Sequence, residues 1–372
     1  LPTLVLFIMV TASGLNAYSF LTAPVVLLYF LFLILSTLRL NPRMCILAGL
    51  AAGGGYLALA SYVYLSHPYP PGEDILLGIY AHGTYVVLLM LGGALAAVVA
   101  GKIRHEVAHG VFQIEQRQRL EADLEAARSI QRGLLPRGVP PLADYEAAGQ
   151  SWPADQTGGD YYDWMKLPND RWIFTIADVT GHGIGPALLA ANCHAYVHAV
   201  FGTEGDIHRW ISRINQFLAQ DLEPGLFITF LGVELNPENG ELSLLSAGHG
   251  PTLLYRASGG TVEELPTQGL PLGLVADFAY DIPLVFHLEP GDVLMLMTDG
   301  IAEWTNRRNE QFGVERAAAF LRDEAGRDAK EIIERLRNCV MLFAEGTGQK
   351  DDLTVVVIKR RGSCSGGEGS SA

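Results

Sequence analysis

Along the first hundred positions apolar residues follow one another with no polar face. Three runs, 17–38, 44–66 and 75–100, contain no Asp, Glu, Lys or Arg and are long enough to cross a bilayer as helices. A fourth apolar run, 1–12, is too short to span alone; since the chain starts at Leu, it is read as a clipped helix, giving three or four spans. From 102 to 135 the spacing changes. Ile103, Val107, Val111 and Ile114, then Leu120, Leu124, Ala127, Ile130 and Leu134, recur at three-to-four intervals with one phase slip. That pattern predicts a helix leaving the membrane and pairing with a second copy of itself, the slip acting as a coiled-coil stutter. The alternative is a surface helix lying on the domain that follows.

After Pro136 the period shortens to that of strands. Residues 161–167 and 171–177 read as strands joined by the turn Pro168-Asn169-Asp170. Pairing Leu167 with Arg171 across that turn sets Asp160 opposite Asp178. Val293–Met297 and residues 353–358 read as buried strands, and 184–201 as a helix. Residues 363–372, rich in Gly and Ser, read as a disordered tail. The expected organisation is a transmembrane helical region at 1–101, a linker helix at 102–136, a catalytic domain at 137–362 and the tail.

Composition sharpens this division. Of the chain's 66 charged residues, only Arg39, Arg43, Glu73 and Asp74 fall in the first hundred, and the whole net charge of −14 lies beyond them. The acidic balance offers no basic stripe for phosphate backbones, so no nucleic-acid partner is expected. Arg39 and Arg43 mark one loop as cytoplasmic, and Lys102 and Arg104 mark the exit of the last span, so everything after residue 101 is expected in the cytoplasm, below a membrane crossed several times. No ionisable acid or base other than His82 lies inside a span, which argues against a pump or channel. Gly53–Gly55 and Gly92–Gly93 read as close-packing positions between helices. Cys45, Cys193, Cys339 and Cys364 lack any paired or metal-ligand spacing.

Two constellations suggest chemistry. His105-Glu106-Val107-Ala108-His109 matches the HExxH pattern of zinc proteases, with two His one turn apart and a Glu as base. It falls on the linker helix without an evident third ligand. The other is a set of acids at the ends of core strands: Asp160, Asp178, Asp299, and the adjacent Asp351 and Asp352. Carboxylates facing one another across a hairpin repel, and a hard divalent cation reverses that sign, so the set fits a two-metal site activating water for phosphoryl transfer.

Seven segments in order then resemble the bacterial PPM (type 2C) metal-dependent protein phosphatases of the SpoIIE branch. They are LEAARSIQRGLLP (124–136), GGDYYD (158–163), DVTGHGIGPAL (178–188), SAGHGP (246–251), GLPLGL (269–274), TDGIAEW (298–304) and KDDLTVVV (350–357). The resemblance covers about residues 120–360. It implies an α+β fold, an α-β-β-α sandwich of two antiparallel sheets, with two Mn2+ or Mg2+ ions held by Asp160, Asp178, Asp299, Asp351 and the Val179 carbonyl. Asp178 would bridge the ions, and a water between them would attack phosphoserine or phosphothreonine directly. Asp163, Gly181, His182 and Asp352 are candidates for the surrounding shell, and Asp163 and Asp352 could each exchange roles with a neighbour. The chain departs from larger type 2C enzymes in having Gln156-Thr157-Gly158 where an Arg holds phosphate, and Thr180 where a His follows the bridging Asp. The implied substrate is an anti-anti-sigma-type phosphoprotein, with the membrane region controlling activity through the linker of a homodimer. The competing readings are a zinc metalloprotease on 105–109 and a non-catalytic signalling scaffold.

Overall fold

The computed structural model describes residues 1–13, 16–22, 26–70, 74–136, 138–181, 183–280 and 282–362. They form two compact units, Leu1–Leu120 and Glu121–Ala372. The expected tail at 363–372, with Cys364, lies outside the described residues.

The first unit contains α1 (Pro2–Ala12), α2 (Ala17–Thr22), α3 (Leu27–Thr37), α4 (Pro42–Ser66) and the first part of α5 (Ile75–Leu134). Within the run 17–38 the described residues form two short helices, α2 and α3. Helix α4 begins cleanly because Pro42 takes its first position and the Asn41 side chain accepts from the Arg43 N–H. Helices α4 and α5 are long and apolar enough to cross a membrane. Leu47, Leu57, Leu76, Leu95 and Val98 on them are exposed, an arrangement that favours lipid over water.

The two helices meet at Gly49 and Gly93. A Cβ at Gly93 would lie 2.5 Å from the Gly49 Cα, and one at Gly49 would lie 2.7 Å from the Gly93 Cα. The closest approach pairs the expected Gly93 with Gly49, and the expected Gly53 and Gly92 are tight as well, a Cβ at each lying 3.2 Å from Met90 and Leu33 respectively. Among the others, Gly55 is filled against Thr3, whereas Gly54 has open space around it. His82 is buried, its Nδ1 2.8 Å from the Tyr56 hydroxyl, which itself donates to the Leu21 carbonyl.

The second unit is a sandwich. Its strands are β1 (Tyr145–Trp152), β2 (Tyr161–Lys166), β3 (Trp172–Val179), β4 (Ile228–Leu235), β5 (Glu241–Ala247), β6 (Thr252–Arg256), β7 (Thr261–Leu265), β8 (Leu284–His287), β9 (Val293–Met297) and β10 (Leu353–Arg360). Its further helices are α6 (Ile184–Val200), α7 (Ile207–Asp221), α8 (Asp299–Glu303), α9 (Val314–Glu324) and α10 (Ala329–Ala344). One antiparallel sheet runs β1-β10-β9-β6-β7 and the other β2-β3-β4-β5-β8. Alternation along the strands builds three apolar layers. Ile173, Ala177 and Phe230 face Cys193, Val197 and Ile211 of α6 and α7. Phe174, Ile176 and Leu231 meet Leu294, Leu296 and Val356 between the sheets. Met295, Val355 and Val357 face Ile332 and Leu336 of α10. β9 and most of β10 are buried on both faces, which is why they read as continuous apolar runs. The α-β-β-α arrangement inferred from the motifs is the fold.

Candidate active site

The β2–β3 hairpin has the register that the turn sequence predicts. The Leu167 N–H donates to the Arg171 carbonyl at 2.8 Å, Asp170 takes a positive φ of 61°, and Tyr161 stands opposite Ala177. One step further out, Asp160 comes opposite Asp178. Both are even-numbered positions, like Tyr162, Phe174 and Ile176, and so face the space between the sheets. The two carboxyls are close enough for each to act on the other's proton affinity. Asp160 is held well above the usual carboxylate range, first by burial and then by Asp178. Asp178 is pushed up to about 7 by burial, then by Asp299 and Asp351.

Asp299 and Asp351 bring negative charge from the other sheet, from the ends of β9 and β10. Asp299 opens α8, and Asp351 lies two residues before β10. Both reach solvent, and each raises the proton affinity of the cluster; Asp299, exposed on one side, is packed closely enough on the other that desolvation raises it first and Asp351 next. The four acids therefore form a gradient from the buried Asp160, through the half-buried Asp178, to the two exposed carboxylates.

Asp352 does something different from Asp351. It is buried, its Oδ1 accepts from the Ala154 N–H at 2.7 Å, and its Oδ2 accepts from the N–H groups of Gly159 at 2.6 Å and Asp160 at 3.4 Å. The carboxylate thus fixes the backbone leading into Asp160. It occupies the space that a Cβ at Gly158 would need. Thr298, also buried, donates from Oγ1 to the Asp160 Oδ2 at 2.9 Å and accepts from the Thr354 N–H at 3.0 Å. A Cβ at Gly159 would lie 2.8 Å from the Val179 carbonyl oxygen, so the paired glycines of the GGD segment leave room for a carboxylate on one side and a carbonyl on the other. Gly181 and Gly183 have φ of 93° and 94°, and Gly183 caps α6. His182 lies outside the described residues.

Asp163 does not join this cluster. As an odd-numbered residue of β2 it faces α6, where its Oδ2 lies 2.6 Å from the His198 Nε2 and accepts from the Tyr161 hydroxyl at 3.1 Å. His249 of the SAGHGP loop is buried between Thr229 and Ser246, its Nδ1 2.9 Å from the Thr229 Oγ1, and burial pushes it down to about 4. Among the described residues, His105 and His109 gain no third side chain able to complete a metal site.

Three residues of the linker segment enter the site region without having been singled out by their chemistry. The Gln131 side chain brackets Gly158: its Nε2 donates to the Gly158 carbonyl at 2.6 Å, and its Oε1 accepts from the Gly158 N–H at 3.2 Å. Arg128 and Arg132 line, with Gln131, Gly158 and Asp160, a cavity of about 580 Å3. Their signal in the sequence was position alone, since all three lie within the 124–136 segment.

The residues fit a pair of hard divalent cations. The donors are all oxygen, among the described residues no Lys or Arg pairs with any of the four acids, and the Val179 carbonyl is kept clear by Gly159. Buried carboxylates without a counter-charge must take up either protons or a cation.

Known proteins resemble this chain in sequence and in fold. Phosphoserine phosphatase RsbU of Bacillus subtilis is 28% identical over 261 residues, spanning 69% of this chain and 74% of that protein. The phosphoserine phosphatase RsbP of the same organism is 26% identical over 190 residues, 49% of this chain and 46% of the relative. Among solved structures, the SiaA-PP2C domain of Pseudomonas aeruginosa superposes with a TM-score of 0.58 at 23% identity, over 66% of this chain and 98% of that one, a likeness of fold. The RsbU and RsbW domains of Rv1364c from Mycobacterium tuberculosis give 0.51 at 25% identity, over 61% and 62%. Residues 168–361, just over half of the chain, match the family described as stage II sporulation protein E (SpoIIE). The protein belongs to that family, and its second unit has the PP2C-type sandwich.

Proposed function

We propose that the protein is a membrane-anchored phosphatase that hydrolyses phosphoserine or phosphothreonine on a regulatory protein of the anti-anti-sigma type. The observation that carries this reading is the graded acid cluster, buried at Asp160 and open to solvent at Asp299 and Asp351, in a chain of the SpoIIE family. The names of the relatives RsbU and RsbP support the phosphoserine specificity. In this reading Asp160, Asp178, Asp299, Asp351 and the Val179 carbonyl hold the cations. Manganese or magnesium bound there supplies Lewis-acid activation of water and charge neutralisation for phosphoryl transfer. The chain's own contribution is placement. Asp352 and Thr298 fix Asp160, and the hairpin register fixes Asp178 against it. The exposure of Asp299 and Asp351 leaves the site open to a protein-borne phosphate.

The linker of residues 102–136 is the proposed route of control. Gln131 grips the backbone two residues before Asp160, so a shift or rotation of the helix end is felt at a buried ligand. Ile103, Val107, Val111, Ile114 and Leu120 are all exposed along α5, as the seam of a paired helix would be in one copy. The proposed layout is that of the sequence expectation, with a membrane region to residue 101 and the catalytic domain at 137–362 on the cytoplasmic side.

The test is manganese-dependent release of phosphate from a phosphoserine protein by the purified full chain, with Asp178→Asn as control. Activity that needs the metal and is lost in Asp178→Asn is expected. A wild-type chain without metal-dependent activity, or a fully active Asp178→Asn, sinks the mechanism.

A further inference from the structure

Helix α6 places His194 and His198 one turn apart, on the face that covers β2. The Asp163 carboxylate rises from β2 between them. Its Oδ2 is 2.6 Å from the His198 Nε2 and 3.7 Å from the His194 Nε2, and the two imidazole centroids are 4.2 Å apart. One possible ligand atom from each of the three residues lies within 4.8 Å of the other two. The carboxylate is already oriented by groups behind it. The Tyr161 hydroxyl donates to Oδ2 at 3.1 Å, the Trp164 N–H donates to Oδ1 at 2.8 Å, and the Tyr161 ring packs edge-on against His194. Such outer contacts are what hold first ligands in place at metal centres. Asp163 is buried, while the His198 side chain is 46% exposed, so the cluster opens to solvent on one side.

We propose that Asp163, His194 and His198 form a zinc site with its fourth position open to water. Two imidazoles and one carboxylate suit a borderline cation in tetrahedral geometry, whereas the all-oxygen set at Asp160 and Asp178 suits manganese or magnesium. The donor sets thus sort two metals to opposite faces of the same hairpin. A bound zinc ion ties α6 to β2, the strand that continues directly from Asp160. The site stands apart from the phosphatase reading and does not depend on it.

The experiment uses the full chain in detergent, stripped with a chelator and titrated with Co2+ and with Zn2+. The expected result is visible Co2+ absorption of the tetrahedral type that saturates at one equivalent and that Zn2+ abolishes, and an unfolding midpoint raised by roughly 5–10 °C at a hundredfold excess over Kd. His198→Ala removes the Co2+ spectrum and the metal-induced shift, measured against its own metal-free midpoint, which the lost contact to Asp163 lowers; His194→Ala removes the spectrum as well. The double variant His105→Ala/His109→Ala, and Asp178→Asn, each retain the spectrum. No tetrahedral Co2+ spectrum in the stripped wild type, a spectrum unchanged in His198→Ala, or a spectrum lost in either of the last two variants overturns the proposal, leaving a hydrogen-bonded His–Asp cluster only.

Discussion

The adjacent acids Asp351 and Asp352 offer a sharp division of labour to test. Replacing Asp352 by Asn keeps the shape but removes the charge and one acceptor from the three backbone N–H groups of Ala154, Gly159 and Asp160. Hydrogen bonds to a charged group contribute about 1.5–3 kcal/mol each, and a donor left unmet in the interior costs about as much. The two short bonds, at 2.7 and 2.6 Å, set a ceiling of about 3–6 kcal/mol. Asn retains one acceptor and escapes the desolvation of a buried carboxylate, so about 2 kcal/mol is the expected loss. Asp351→Asn should do the opposite in metal-free protein: the side chain is exposed, and removing it relieves repulsion at Asp178 and Asp299. The assay is urea unfolding in chelator, followed by tryptophan fluorescence. All five tryptophans (Trp152, Trp164, Trp172, Trp210 and Trp304) lie in Glu121–Ala372, so the signal reports that unit alone. With a urea slope of about 2 kcal/mol per molar, Asp352→Asn lowers the midpoint by about 1 M. Asp351→Asn leaves it equal or higher, yet loses metal-dependent activity. A destabilised Asp351→Asn beside an unperturbed Asp352→Asn would refute the assignment and exchange the two roles.

Gln131→Leu should raise the manganese concentration needed for half-maximal activity by roughly 10-fold or more, the usual scale for losing a contact behind a ligand; an unchanged metal requirement removes Gln131 from the control route. Gly159→Ala pushes a methyl group against the Val179 carbonyl and should abolish manganese binding by calorimetry while the fold survives by circular dichroism. Stability of the metal-free protein should depend on pH through Asp178. Its folded proton affinity near pH 7 exceeds the ordinary carboxylate value near 4. The folded state therefore binds more protons between those limits. This contribution is fully present below about pH 4 and is lost as pH rises through about 7. The urea midpoint in chelator should fall from pH 5 to 8, and manganese should flatten the fall; a midpoint that rises over that range contradicts the direction. In the first unit, Gly93→Leu should separate α4 from α5, seen as loss of a disulfide engineered across their contact, whereas Gly54→Leu, at a position with open space, should be tolerated.

The parts of the site within one hairpin were legible because local rules settle them. Pro168-Asn169-Asp170 fixes the turn, the turn fixes the register, and the register carries Asp160 to Asp178. Asp299 and Asp351 were legible as acids at the ends of apolar runs, but their approach to Asp178 depends on how two sheets stack, which no local pattern encodes. Gln131 was invisible for a similar reason. An amide on a helix has no chemical signature until the backbone it grips, 27 residues away, is folded beside it.

Asp163 shows how far strand parity alone can be pushed. Residues 160 and 163 differ by an odd number along one extended segment, so they must face opposite sides of the sheet. A role for Asp163 beside Asp160 would need a bulge between them, and the unbroken pairing from Tyr161 to Lys166 has none within β2. The same parity forces Asp163 into the apolar layer beneath α6, where an unmatched carboxylate costs several kcal/mol. Something on α6 had to answer it, and the spacing of His194 and His198 is the only one-turn pair of ring nitrogens that the described part of the helix offers. The acid on one face of the hairpin and the histidines on the helix above it are thus consequences of a single register. That register also sets Asp160 against Asp178 on the other face.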